Sequence, residues 1–236
     1  MAFPPFVTRA AIRITLGGIV AAAAIAVAAL VIERTQLGGD LTTSRARLMA
    51  EVEGEFAALA NRLDQALRAV PIDVELLRRA ERGETAAQRQ LFDLAAASSV
   101  QAHVSVTIYG ATNQPVAWLG RSEDVPEARL SGPASTFLAQ SSQGLQLVRV
   151  EPILDPADPS HHIGGIVAEA QLPRIGSQAL PGSEFSIETS IVPVALRLQF
   201  EGASDAGPDA FVIRSSTNEP LAAVTVSDAD LQNARQ

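Results

Sequence analysis

Four side chains that could bind a ligand lie on or beside a group of predicted strands: Tyr109, Trp118, Arg121 and Arg149. The chain has one Tyr and one Trp, and both belong to the same predicted hairpin. A guanidinium group binds a carboxylate through two parallel hydrogen bonds, and an aromatic wall beside it would shield a small molecule from water. The pattern fits a pocket for a small organic anion. The alternative is that the aromatic rings belong to the core and the arginines are surface charges.

A metal site would need a second group of ligands that this sequence does not offer. His161 and His162 follow Asp155 and Asp158, but adjacent histidines on a proline-rich segment point apart, and His103 is remote in the sequence. We expect this segment to be a solvated loop, and we expect neither a metal nor a cofactor.

Catalysis is not expected either. The nucleophile motif G-x-S-x-G does not occur, and the chain contains no Cys for thiol chemistry. All 18 basic residues are Arg, so a phosphate loop with its Lys is excluded. We therefore predict that the chain is not an enzyme.

The overall composition is that of a folded, acidic protein. Hydrophobic residues make up 47% of the 236 residues, which is ordinary for a globular chain. The net charge of −8 argues against nucleic acid as a partner, because phosphate binding needs a basic surface.

An uncharged segment of nineteen residues, Ile14–Ile32, precedes everything else of note. As a helix it would be about 28 Å long, close to the thickness of the bilayer's hydrocarbon core. It predicts a single transmembrane helix at 14–32 in contact with the lipid bilayer, after a cytoplasmic N-terminus at 1–13. A cleaved signal peptide ending near Ala28 is the alternative, although such peptides usually have shorter apolar segments.

Residues 40–97 predict a helical stalk or hairpin. Met49, Phe56, Leu63 and Val70 share one heptad position, and the helix should end before Pro71. This apolar stripe could form a homodimer through the stalk or pack on the chain's own domain, and both alternatives remain open. A second helix, capped by Asp73 and weakened by Gly83, should follow.

The pattern changes at residue 100, where apolar and polar residues begin to alternate as in a half-buried strand. Residues 100–173 predict a domain built on an antiparallel sheet. Along the chain we expect a hairpin across the turn 110–114, a short helix near 135–139, a strand at 145–150, a loop at 151–162 and a last strand at 165–169.

A second, smaller sheet module is predicted at 183–227, and residues 228–236 predict the start of a helix after Ser227. The hairpin of the second sheet module contains the sequence Arg214-Ser-Ser-Thr-Asn-Glu-Pro. This sequence is similar to Tyr109-Gly-Ala-Thr-Asn-Gln-Pro in the first sheet. The shared Thr-Asn-x-Pro hints at two related modules.

This layout resembles the extracytoplasmic sensor region of a bacterial sensor histidine kinase, of the Cache or PAS-like kind. The matching parts are the span Ile14–Ile32, the helical stalk, the strand beginning Val104-Ser-Val-Thr-Ile-Tyr-Gly, and the segments Leu145-Gln-Leu-Val-Arg-Val-Glu-Pro-Ile and Ile163-Gly-Gly-Ile-Val-Ala-Glu-Ala. The resemblance implies an α+β fold with PAS-like antiparallel sheets, in which the concave face and the crossover above it enclose a ligand. The family's kinase module has no counterpart among these residues.

We therefore expect a sensory module of a signal-transduction receptor, related to two-component systems. It would be a single-pass protein of the bacterial inner membrane with the bulk of the chain in the periplasm. It would bind a small ligand or a partner and relay that event through the stalk. The alternative is a non-sensory, membrane-anchored scaffold that binds another envelope protein.

Overall fold

The computed structural model describes residues 41–120, 125–141, 144–172, 184–198, 210–215 and 218–233. These residues form an α+β protein with two antiparallel sheets, as the sequence predicts at this level. They fall into two compact units, one within 1–48, 190–192 and 227–236 and a larger one formed by 49–189 and 193–226. The predicted span Ile14–Ile32 lies outside the described residues. None of the helices in the described ranges is both long and apolar enough to cross a membrane.

Helix α1, Leu41–Arg68, is the long amphipathic helix expected before Pro71. Its apolar residues recur at alternating spacings of three and four, so they occupy one face of the helix. This stripe is buried in the single chain, as the packed-helix alternative requires, at Val52, Phe56, Leu59, Leu63, Ala66, Leu67 and Val70. Met49, which shares a heptad position with Phe56, is only half-buried.

The second predicted helix is two helices, α2 at Val74–Glu81 and α3 at Thr85–Ala102. Asp73 caps α2 as predicted, because its carboxylate accepts the backbone N–H of Glu75 at 3.0 Å. The helix is interrupted after Arg82. There, Gly83 adopts a φ of 84°, and its N–H donates to the carbonyl of Ala80. Glycine enters this left-handed region without a steric cost, so it ends the helix rather than only weakening it.

The first sheet contains β1 Ser105–Gly110, β2 Pro115–Leu119, β3 Ser135–Ser141, β4 Gly144–Asp155 and β5 Asp158–Gln171. A short helix, α4 at Glu127–Leu130, lies between β2 and β3. The strand order is β2-β1-β5-β4-β3, and the register pairs described between neighbouring strands are antiparallel. The hairpins β1–β2 and β4–β5 thus meet in the middle of the sheet, where β5 pairs with β1.

Two predictions for this sheet are wrong. Residues 135–139 form strand β3, which pairs with β4 from Ser135↔Val150 to Ser141↔Gly144, and the helix lies earlier, in α4. The predicted loop 151–162 is mostly strand, because β4 and β5 continue as one long hairpin that turns near Ala157. Cross-strand pairing decides both segments, because it overrides the local preference that the residue pattern suggests.

The second sheet contains β6 Glu184–Ile187, β7 Val194–Leu198, β8 Ala210–Arg214 and β9 Pro220–Thr225, in the order β6-β7-β9-β8. Helix α5, Asp228–Asn233, follows Ser227, whose hydroxyl accepts the N–H of Asp230 at 3.4 Å, as the predicted helix start requires. In the smaller unit, Arg45 pairs with Asp228 at 3.2 Å.

The two hairpins with the Thr-Asn-x-Pro sequence share a backbone conformation and a hydrogen bond at their Asn residues. Asn113 and Asn218 adopt left-handed φ values of 58° and 66°, and each donates its N–H to the carbonyl three residues earlier, at 3.0 and 2.9 Å. Asparagine tolerates this region better than most residues. The sheets around the turns differ, because the inner strand of the hairpin is β1 in the first sheet and β9 in the second. The similarity therefore belongs to the turn and not to the whole module.

Candidate functional site

Of the four side chains predicted to bind a ligand, the structure describes Tyr109, Trp118 and Arg149. Tyr109 is 5% exposed and packs in a core cluster on one face of the first sheet, with Leu130, Val148, Val150 and Val167. Arg149 lies between Val148 and Val150 on β4, so the alternation of a strand places its side chain on the opposite face. Arg121 lies outside the described residues. The ligand-binding role remains a prediction, but Tyr109 and Arg149 cannot contact one ligand on a single face of this sheet.

Trp118 lies on β2, the edge strand of the first sheet, and 43% of its surface is exposed. Its ring contacts the ring of Phe92 on α3, with centroids 5.1 Å apart and planes inclined at 61°. Trp118 therefore belongs to the surface at the edge of the sheet.

Arg149 is held by three polar side chains at the boundary between the sheet and helix α1. Its Nη1 donates to Thr136 Oγ1 at 3.1 Å, and its Nη2 donates to Glu151 Oε2 at 3.3 Å. The third contact is an ion pair between Arg149 Nε and Asp64 Oδ1 of α1, at 3.5 Å. The side chains of Arg149 and Asp64 are 16% and 33% exposed, so the pair is sheltered but still open to solvent on one side.

The contact with Asp64 is looser than the other two. Arg149 Nε is shielded from water and has no hydrogen bond of acceptable geometry, although the Asp64 carboxylate lies beside it. A buried donor without a well-directed acceptor loses free energy that a better-placed acceptor would restore. An anion that reached Nε would thus improve on the present arrangement.

A cavity of about 440 Å³ opens beside this ion pair. Helix α1, the first sheet and the second sheet each contribute to its wall. The lining residues are Glu53, Phe56, Ala57, Ala60, Asn61, Leu63 and Asp64 from α1, Thr136, Leu147 and Arg149 from the first sheet, and Val212, Ile213, Arg214, Ser215 and Leu221 from the second sheet. We call it the Arg149 cavity. Its size lies within the range of small-molecule pockets in proteins.

The wall of the Arg149 cavity is mainly apolar and carries polar groups at two places. Arg149 and Thr136 offer hydrogen-bond donors on the sheet side, whereas Glu53 and Asp64 place carboxylates on the helix side. Arg214, from β8, donates to the carbonyl of Asn218 at 2.9 Å. Such a wall can hold a small molecule with an apolar body and a charged end. It offers no converging acid, base and nucleophile among the lining residues.

Sequence reasoning identified Arg149 but missed Asp64 and Thr136. The signal available for Asp64 is its position directly after Leu63, at the margin of the apolar stripe of α1. Thr136 fell within the expected helix, so its pairing with Arg149 across β3 and β4 was not foreseen.

His161 and His162 lie on strand β5 and not in a loop, which corrects the expectation for this segment. His161 is exposed and His162 is half-buried, where β5 passes from its exposed part to its buried part. In the described ranges, no group of three or more His, Cys, Asp or Glu side chains could hold a metal ion.

Comparison with known proteins does not assign the chain to a family. No family model matches the sequence, and no curated protein is similar to it.

Proposed function

We propose that the chain is the sensory module of a membrane-anchored signal-transduction receptor, and that the Arg149 cavity binds a small organic anion. The carrying observation is that Arg149 of the sheet pairs with Asp64 of helix α1 at the wall of this cavity. A ligand bound there would act on the helix and the sheet together.

The proposed relay begins with competition for Arg149. A ligand carboxylate that binds the guanidinium would displace Asp64, because both are acceptors for the same N–H groups. Displacement would remove a polar link between α1 and β4. Since α1 supplies seven of the lining residues, an occupied cavity would shift the balance between arrangements of this helix.

The layout of the first sheet supports the PAS-like part of the proposal. A hairpin, a crossover with a short helix and a terminal hairpin follow one another, and a long helix precedes them. The proposal places this module in the periplasm, anchored to the bacterial inner membrane through Ile14–Ile32, with an output partner elsewhere.

A thermal-shift screen of small organic anions tests the proposal. At a ligand concentration of one hundred times its Kd, binding stabilises a protein by about 2.7 kcal/mol, which is roughly 5–10 °C for a domain of this size. We expect Arg149→Gln to abolish the shift. Asp64→Asn should strengthen binding several-fold, because it removes the competing charge and keeps the shape.

The matched control is Arg89→Gln, which removes the same charge from an exposed position on α3. This variant should respond as the wild type does. A shift that survives in Arg149→Gln would exclude the Arg149 cavity as the site. A broad screen without any stabiliser would instead favour the scaffold that binds another envelope protein.

A further inference from the structure

A second cleft, of about 680 Å³, lies where the β1–β2 hairpin meets helices α2 and α3. It shares no residue with the Arg149 cavity. The residues that carry the argument are Glu81, Gln88, Phe92 and Trp118. We call it the aromatic cleft.

Two aromatic rings form one wall of the aromatic cleft. Phe92 and Trp118 are 36% and 43% exposed, and their planes meet at 61° with centroids 5.1 Å apart. In this edge-to-face contact one ring covers a face of the other, and the ring surface that stays exposed borders the cleft. Keeping this much aromatic surface in water costs free energy that burial would recover, and an exposed apolar surface of this kind marks a binding site more often than a single exposed residue does.

A carboxylate, that of Glu81, also lines the cleft. Glu81, the last residue of α2, accepts the backbone N–H of Ala111 through Oε1 at 2.6 Å, so the hairpin turn holds it in place. Gly110 allows this approach, because a Cβ at that position would lie 2.2 Å from the same oxygen. The carboxylate is thus positioned before any ligand arrives.

The charge of the cleft is negative. Glu81 is the only charged residue among those that line it. Arg79 and Arg82, which flank Ala80 and Glu81 in the chain, bind other carboxylates, Arg79 that of Glu84 at 2.8 Å and Arg82 that of Glu75 at 3.0 Å. Arg89, next to the lining residue Gln88, has an exposed side chain. A cation in the cleft would meet this carboxylate of Glu81 and the exposed aromatic surface, both of which favour positive charge.

We propose that the aromatic cleft binds a quaternary ammonium group. Aromatic faces attract cations, and a quaternary ammonium is weakly hydrated and has no N–H that needs an acceptor, so rings and a single carboxylate satisfy it. A primary ammonium is more strongly hydrated, so it loses more free energy when it leaves water for a wall of aromatic rings. The group has two sources, a free small cation such as choline and the choline headgroup of a lipid.

Trp118 is the only Trp of the chain, so its fluorescence reports on the cleft directly. The experiment titrates choline into the full-length chain, kept in a maltoside detergent that contains no choline group. The matched ligand control is 3,3-dimethylbutan-1-ol, which has the same shape without the charge. We expect a saturable change in Trp118 emission with choline, and binding of the neutral alcohol at least about tenfold weaker.

Two variants keep Trp118 and change one feature each. Glu81→Gln removes the charge and retains an acceptor for Ala111, and Phe92→Leu removes a ring and retains apolar bulk. Each should weaken choline binding about 2- to 30-fold. Asp93→Asn, an exposed residue of α3 beside the cleft residue Phe92, removes the same charge outside the lining and should leave binding unchanged.

Vesicles of phosphatidylcholine and of phosphatidylglycerol separate the two sources of the ligand. Binding of choline without vesicle binding assigns a free cation, whereas binding to phosphatidylcholine vesicles alone that Glu81→Gln abolishes assigns the headgroup. Equal affinity for choline and the neutral alcohol would overturn the proposal, and so would the absence of any saturable response to choline or to the vesicles.

Discussion

At the scale of single residues, the polar groups that shape the two proposed binding sites are those that pair across secondary-structure elements. Arg149 reaches from β4 to Asp64 on α1, and Glu81 reaches from α2 to the backbone of Ala111. Both contacts join segments that are distant in sequence. A residue type can be read from the sequence, but the partner of a long side chain depends on which element packs beside it.

His103 shows how a single backbone conformation affects stability. It caps the C-terminus of α3 in the left-handed region, with φ of 55°, and its N–H binds the carbonyl of Ser99. For residues other than glycine this conformation costs about 1–2 kcal/mol. We expect His103→Gly to raise the free energy of unfolding by roughly 1 kcal/mol, measured by urea denaturation.

The control for this prediction is His103→Ala. Alanine also has a Cβ and therefore keeps the backbone strain, so its stability should match that of the wild type. A glycine variant less stable than the alanine variant would contradict the argument from backbone strain.

At the scale of secondary-structure elements, α1 contributes both to the hydrophobic core and to the Arg149 cavity. One face of the helix fills the core through Val52, Leu59 and Leu63, and residues beside this stripe line the Arg149 cavity. The heptad spacing alone left two alternatives, a dimeric stalk and a packed helix. The burial of the stripe within one chain favours the second.

Leu59 provides the test of these alternatives. It is 1% exposed, so Leu59→Ala should lower the free energy of unfolding by about 2–5 kcal/mol, whereas the exposed Gln65→Ala should change it by less than about 0.5 kcal/mol. If the stripe packs within one chain, the midpoint of thermal unfolding should not depend on protein concentration. A midpoint that rises over a hundredfold range of concentration would place the stripe between two copies.

At the scale of the whole molecule, the proposed function requires attachment to a membrane through Ile14–Ile32. We expect the full-length chain to stay with the membrane fraction after an alkaline carbonate wash. Placing Asp at Ala23 and at Ile25 should release it, because each carboxylate at the centre of a membrane helix costs about 2.5–3.5 kcal/mol.

The matched control for this prediction is Ala58→Asp, at an exposed position of α1, which should stay with the membrane. A wild-type chain that is released by carbonate would contradict the anchor. A mature N-terminus near Ala29, found by mass spectrometry, would instead show that the segment is a cleaved signal peptide.

The sequence by itself determined the features that arise from short-range physics. The period of α1, the cap at Asp73 and the two Thr-Asn-x-Pro turns depend on residues only a few positions apart, and each is present in the structure. The tertiary structure alone decided the length of the β4–β5 hairpin, the strand at 135–141 and the separation of Tyr109 from Arg149. These features depend on which strands pair and in what register, and neither composition nor periodicity encodes either. The tertiary structure also placed Asp64 beside Arg149 and Glu81 in the cleft of Trp118, because the partner of a charged side chain is set by packing.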